Sequence, residues 1–479
     1  MDTQKKTNKK DYRIYTLFSL LSLIFSNYLI IILLYSEFEI PFVSERSLLI
    51  WINSLFWLII TILFFKKIIT SEKVNKILFS LSFFMIVFIL SVFADRIVGL
   101  FIKENIKPEK THRGIIFEPN TTASYATTEF NYVAKINSLG IRDQEINIKK
   151  KVDKKRILCF GDSFTFGWGV NLEQSWTKIL ERFLLENGYK VEVINCGQGG
   201  QYTSTYKKYM GKAVPLLKPD IVIIGVLQLD DLAQLYQNHF QFKTKNNKSN
   251  ISKILKIFKI AINVSYKNTF YVYKIILKQK TINVENTWLK TSQNIISSFS
   301  RLDYLRYNTF NDSVKSMFEN GNLNPGLIRH YMDFPDRAII FNNPNHPATK
   351  FAIEKMEEDI GHMKEICNAN KCKLIFINIP VNSFTGHNVI RNPNLDFIIN
   401  EYLYKNNNID TIYNNIANQF NIPYFEMTDI FKNLSKTNDH YFFRYDGHPN
   451  PKGYYVLGKS IGEFLINSKI IKKNYPNFE

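Results

Sequence analysis

At 479 residues, with 45% hydrophobic positions, the chain is long enough for about two or three units and a sizeable core. A formal net charge of +19 raises a nucleic-acid partner, but lysine is dispersed among Asn and Ile. Zinc-finger spacing, RNP-like aromatics and a helix-turn-helix are missing, so no nucleic acid is expected and a basic surface near an anionic membrane remains. Four cysteines exclude a disulfide framework in a chain of this length.

The first hundred residues hold three apolar runs, at about 15–35, 47–65 and 77–97. Each has the ~20 residues a helix needs to cross ~30 Å of hydrocarbon. Three transmembrane helices are therefore predicted within a membrane anchor spanning 1–105. The first run has no small-residue cleavage site and is followed by two more, which favours an uncleaved anchor over a signal peptide. Lys5, Lys6, Lys9, Lys10 and Arg13 precede the first run, and Lys66, Lys67, Lys73 and Lys76 separate the second from the third. The intervening loop carries Glu37, Glu39 and Glu45. By the positive-inside rule the amino terminus is cytoplasmic, the protein is a multi-pass cell-membrane protein, and the large domain is extracytoplasmic.

Residues 106–155 are polar and turn-rich and read as a linker or lead-in. From 156 to about 470 the pattern changes. Short apolar runs at Arg156–Phe160, Lys190–Asn195, Asp220–Leu227, Lys373–Ile379 and Ile422–Met427 alternate with helical candidates. The helical candidates lie at Leu172–Asn187, Tyr202–Leu216 and Thr349–Asn368, with a last one after Pro451. β-Branched runs between helices predict parallel strands buried on both faces, hence an α/β three-layer sandwich with a site at the strand carboxyl ends. Residues 233–346 break the alternation and are expected to form a largely helical insertion or cap. Cys159 and Cys196 end apolar runs and read as core residues. Cys367 and Cys372 are left as either a small loop-closing disulfide or two free thiols.

The chemistry concentrates in two motifs. Arg156–Phe160 runs into Gly161-Asp162-Ser163, which puts a hydroxyl at a strand's carboxyl end. Alone, Asp162 and Ser163 would be read as a helix cap. Far downstream comes Asp446-Gly447-His448-Pro449. A serine hydroxyl needs a base, imidazole suits that role near neutrality, and the base needs a carboxylate to orient it. Ser163 is thus the candidate nucleophile, His448 the base and Asp446 the orienter, with Asp439 as fallback. His346, in Asn345-His346-Pro347, reads as structural. No metal-ligand spacing or cofactor motif is present, and no G-x-S-x-G elbow occurs.

With these motifs the sequence resembles the SGNH/GDSL hydrolase superfamily over roughly residues 130–235 and 370–465. Its first block resembles Gly161-Asp162-Ser163, its second Asn195 to Gly200, and its last Asp446 to Pro449; Ile136 to Arg142 looks like the lead-in of membrane-linked bacterial members. The resemblance implies a flavodoxin-like sandwich, ester hydrolysis or transfer without a metal, and a Gly200 N–H offered to the oxyanion. Two departures stand out. Asp230 occupies the place of an Asn whose amide donates to the oxyanion, and an ionised carboxylate cannot donate. Either Asp230 is held protonated, Gln228 substitutes, or backbone groups suffice. Secondly, only Gly447 separates Asp446 from His448. Three activities follow as expectations: an esterase or O-acyltransferase on an acylated envelope glycan or lipid, a lysophospholipase, lipase or thioesterase, and a catalytically weak glycan-binding or assembly module.

Overall fold

The computed structural model describes residues 9–25, 27, 30–31, 45–69, 71–101, 114–245, 262, 265–266, 268–269, 284–334, 336–386, 398–437 and 439–473. The chain divides into two compact units, one comprising 1–112 with 247–279 and the other 113–246 with 280–479.

In the first unit, helices α1 (Lys9–Phe25), α2 (Glu45–Phe65) and α3 (Glu72–Phe101) gather around Tyr12, Trp57, Ile60 and Phe64. Among the described residues, one helix, Glu72–Leu100, is long and apolar enough to cross a membrane. Only 17% of its apolar window is buried, and Leu81, Phe84, Phe88 and Leu90 point outward. A soluble core helix would hide such side chains. The apolar parts of α1 and α2, Tyr12–Phe25 and Ile50–Phe65, are shorter than that criterion, so of the three predicted spans one meets it and the end of the first run lies outside the described residues. A piece of the predicted insertion belongs to this unit. The buried Asp95 carboxylate accepts from the Thr269 amide (2.7 Å) and the Asn268 side chain (3.1 Å), and Ser91 meets the Tyr266 hydroxyl at 2.6 Å.

The second unit is an α/β sandwich. Strands β1 (Thr122–Ala126) and β2 (Asn131–Lys135) form an antiparallel hairpin. The main sheet is wholly parallel and contains β3 (Lys155–Gly161), β4 (Val191–Gly197), β5 (Ile221–Leu227), β6 (Lys373–Ile379) and β7 (Tyr424–Glu426) in the order β4-β3-β5-β6-β7. Successive side chains alternate between its faces. Leu158, Phe160, Val222 and Ile224 face helices α5 (Thr203–Leu217), α9 (Pro347–Ala369) and α10 (Ile409–Gln419). Ile157, Cys159, Ile221 and Ile223 face α4 (Trp176–Glu186) and α11 (Pro451–Asn467). Both faces are covered, which is why these strands read as unbroken apolar runs. Truncating a wholly buried side chain here, such as Ile223, costs about 2–5 kcal/mol.

The described residues between 284 and 346 form short helices. Three of the insertion's helices concern the site: α6 (Asp230–Lys245), α7 (Pro325–Asp333) and α8 (Arg337–Phe341). Tyr307, Phe310, Phe318 and Ile328 give it a small core of its own.

In this strand order the chain leaves β3 on one side to reach β4 and returns across it to β5. Loops at the carboxyl ends of β3 and β5 therefore diverge and leave a crevice. Ser163 follows β3 at that point.

Candidate active site

Gly161 closes β3 where no side chain fits, since a Cβ there would lie 2.1 Å from Thr165 Oγ1 and 2.7 Å from the Gly225 carbonyl. The chain then enters a short helix, Ser163–Phe166, whose Phe164 amide donates to Asp162 at 2.9 Å. Asp162 is thus a helix cap in fact, and its second carboxylate oxygen lies 3.4 Å from the Ser163 hydroxyl, which donates to it. Burial pushes the Asp162 carboxyl up to about 7, against the Phe164 hydrogen bond and the charge of His448.

Ser163 Oγ lies 2.8 Å from His448 Nε2, across 285 positions of sequence. On the other side of the ring, Nδ1 hydrogen-bonds Asp446 Oδ1. The other oxygen of Asp446 accepts from Trp168 Nε1 (3.1 Å) and Asn324 Nδ2 (3.0 Å). This buried carboxylate therefore has partners on both oxygens, as its desolvation requires. Burial alone would lower the His448 pKa, but the charge and hydrogen bond of Asp446, with smaller contributions from Asp162 and Asp230, raise it above the ordinary histidine value. Phe164 and Trp168 pack their rings 5.1 and 5.8 Å from the imidazole.

The short Asp446-Gly447-His448 spacing has a conformational cause. Gly447 has φ +87°, its amide donates to the Phe443 carbonyl at 3.1 Å, and the Phe443 amide returns to the His448 carbonyl at 2.8 Å. One left-handed residue reverses the chain, so Asp446 meets the ring two positions on. Glu129 holds the approach to this turn, accepting from the amides of Arg444 (2.5 Å) and Tyr445 (2.7 Å).

The lead-in clamps the nucleophile loop. The buried Arg142 guanidinium donates to the carbonyls of Phe166, Gly167 and Val170, each at 2.7 Å. Asp143 accepts from the Asn195 amide (2.8 Å) and pairs with Lys178 (2.8 Å). The second-block loop runs beside the serine. A Cβ on Gly199 would stand 3.7 Å from Ser163 Cβ, and one on Gly200 would meet nothing within 4 Å.

At the end of β5, Asp230 opens α6 and pairs with Arg337 of α8, whose guanidinium donates to it. The carboxylate thus acts as an acceptor. The Gln228 amide is committed elsewhere, donating to Asp410 (2.7 Å) and Thr428 (3.1 Å). Asp439 pairs with Lys452 at the surface, while Asp446 holds the imidazole. His346 caps α9 by accepting from the Ala348 amide at 3.2 Å. All four cysteines are buried free thiols, with Cys372 Sγ 3.6 Å from the Cys367 carbonyl. Asn324, Arg337 and Glu129 escaped the sequence, where nothing distinguishes them from solvated polar residues.

A hydroxyl, an imidazole and a carboxylate in line at the switch point of a parallel sheet define a class, the serine-nucleophile α/β sandwich. Residues 159–226 match the model of the GDSL-like lipase/acylhydrolase family. An arylesterase from Vibrio mimicus is 30% identical over 105 residues, covering 22% of this chain and 49% of that protein. The chain thus spans about half the length of that relative. A lipase/acylhydrolase from Enterococcus faecalis is 15% identical (67% of this chain, 100% of that one, TM-score 0.32). A variant of an acetylxylan esterase from Geobacillus stearothermophilus is 10% identical (65% and 93%, TM-score 0.31). The matched segment contains the first block, Gly161-Asp162-Ser163, and over residues 159–226 the chain is similar to the GDSL-like lipase/acylhydrolases.

Proposed function

We propose that this chain is a membrane-anchored serine esterase or O-acyltransferase acting on an acylated glycan or lipid of the cell envelope. The observation that carries the proposal is the 2.8 Å approach of Ser163 Oγ to His448 Nε2, with the far nitrogen of the ring on Asp446. The family match over residues 159–226 and the arylesterase relative support ester chemistry.

Ser163 Oγ attacks the ester carbonyl carbon as His448 Nε2 takes its proton. Asp446 fixes the tautomer that presents Nε2 as acceptor and stabilises the imidazolium that results. The carbonyl oxygen becomes an oxyanion beside the Gly199–Gly200 backbone. His448 then passes its proton to the leaving alcohol, and an acyl-Ser163 ester remains. Water or a sugar hydroxyl, deprotonated in turn by His448, attacks that ester and releases Ser163. Water gives hydrolysis and a sugar hydroxyl gives transfer.

The apolar, outward-facing α3 supports membrane anchoring, and the lysines on either side of the first two apolar runs support a cytoplasmic amino terminus. In that orientation three crossings put the second unit outside the cytoplasm, where envelope glycans and lipid headgroups are within reach.

Turnover of p-nitrophenyl esters by the detergent-solubilised chain tests the proposal. Acetate or butyrate ester should be cleaved, and Ser163→Ala should abolish cleavage. Equal rates in the two proteins would remove the esterase reading. Marked preference for long acyl chains would replace it with a lipase or lysophospholipase.

A further inference from the structure

Most of the site comes from the sandwich, but Arg337 does not. The helical insertion delivers it, and its side chain is about nine-tenths buried against Asp230. Its Nε is also buried and has no hydrogen-bond partner among the described residues. A guanidinium in such a place carries a large desolvation cost, which a surface position would avoid. Asp230 poses the complementary difficulty. It stands at the carboxyl end of β5, where the superfamily places an amide donor, and a carboxylate there opposes any anion forming at Ser163.

The two difficulties cancel. We propose that Arg337 is a positioning residue that neutralises Asp230, so that an acid tolerates an oxyanion where an amide ordinarily stands. The inference rests on the esterase reading above and adds a residue to that site. It makes the insertion part of the chemistry, because the sandwich alone would leave an uncompensated negative charge at the end of β5. The ion pair fixes the Asp230 carboxylate on the guanidinium and offsets its charge.

The charges around the pair make the proposal readable by pH. His448 faces Asp446 from its own loop, Asp162 from the end of β3 and Asp230 from the start of α6, and all three act to raise its pKa. Around Asp230 stand Arg337, Asp162, Asp231 and the Tyr413 hydroxyl. Removing Arg337 exposes His448 to the full Asp230 charge, whereas removing the Asp230 charge leaves Arg337 unopposed. The two changes therefore move the titration of His448 in opposite directions.

The experiment compares wild type, Arg337→Met, Arg337→Lys, Asp230→Asn and the double variant Asp230→Asn/Arg337→Met, using p-nitrophenyl acetate across pH. Arg337→Met should lower kcat on the order of 100-fold, the lower end of what lost oxyanion stabilisation costs, with KM little changed. Its acid limb of kcat/KM should move to higher pH, while Asp230→Asn moves the limb to lower pH. The double variant should recover most of kcat and return the limb near its wild-type place, and Arg337→Lys should keep most of the rate. A purely structural arginine predicts lower thermal stability with the limb unmoved. That result overturns the proposal, as does a double variant that is folded yet as slow as Arg337→Met. Should Arg337→Met not fold, the limb of Asp230→Asn alone decides, and an unmoved limb counts against the pair. Wild-type hydrolysis that persists in Ser163→Ala overturns the esterase reading and this inference together. Ser163-dependent hydrolysis with Arg337→Met unchanged overturns the inference alone.

Discussion

Gly447→Ala tests the turn that brings acid and base together. With φ +87° the backbone lies in the left-handed region, where a residue with a Cβ pays about 1–2 kcal/mol. Steric room is not the issue, since the added carbon would meet only Leu327 Cδ2 at 3.7 Å, an ordinary contact. The cost is thus conformational. The chain either bears it, losing about 2–8 °C of Tm at ~2–4 °C per kcal/mol, or escapes it by relaxing the turn. Relaxation withdraws His448 from Ser163, and a penalty of about 1–2 kcal/mol reduces the aligned fraction roughly 5–30-fold. The expected outcome is a kcat lowered within that range at unchanged KM, with a modest loss of Tm. Gly447→Asn, whose side chain tolerates left-handed backbone, should keep most of both. Differential scanning fluorimetry and p-nitrophenyl acetate turnover on the three proteins provide the readings. An alanine variant matching wild type in Tm and kcat would refute the reasoning, because the turn would then not need this conformation.

Other outcomes follow from the same site. Asn324→Ala removes one donor from the buried Asp446 carboxylate; hydrogen bonds to charged groups contribute about 1.5–3 kcal/mol, so Tm should fall by several degrees and kcat roughly 10–100-fold as the carboxylate loses its hold. Because His448 accepts a proton only when neutral and its pKa is raised, kcat/KM should climb with pH through a midpoint above the ordinary histidine value of about 6.5. Asp446→Asn should lower that midpoint along with the rate, and a midpoint that stays put would contradict the assignment of Asp446. Asp162→Asn should gain stability over wild type as pH rises. Between the ordinary carboxylate range and about 7 the folded wild type keeps a proton that its unfolded chain has released, so only wild type loses stability in that window. Urea melts of both proteins at about pH 4, 6 and 8 measure the gap, and a gap constant with pH would contradict the burial argument.

The sheet was legible because its strands are buried on both faces and write unbroken β-branched runs, as Ile221–Leu227 and Lys373–Ile379 do. The final strand, Tyr424–Glu426, is shorter than its apolar run because it pairs on one side only, as an edge strand does. Gly161-Asp162-Ser163 and Asp446-Gly447-His448 were legible because strand ends and tight turns constrain residue type. Arg142 stood within a recognisable lead-in, yet its three carbonyl partners were not predictable, since they are set by where the loop after Ser163 comes to rest. Asn324 and Arg337 were silent for a different reason. An insertion packs through shape and a few polar contacts, and neither leaves a periodic trace. The Asp230 anomaly was the one hint that a cation lay nearby, and only the fold supplied its number.

Catalysis here turns on whether Ser163 is an activated nucleophile. Incubating the full-length chain with a fluorophosphonate and mapping the adduct by peptide mass spectrometry measures this directly. A single adduct on Ser163 is expected, and it should disappear in His448→Gln while Tm is retained. Unmodified Ser163 in folded wild type, or equal modification after loss of the imidazole, would contradict that role.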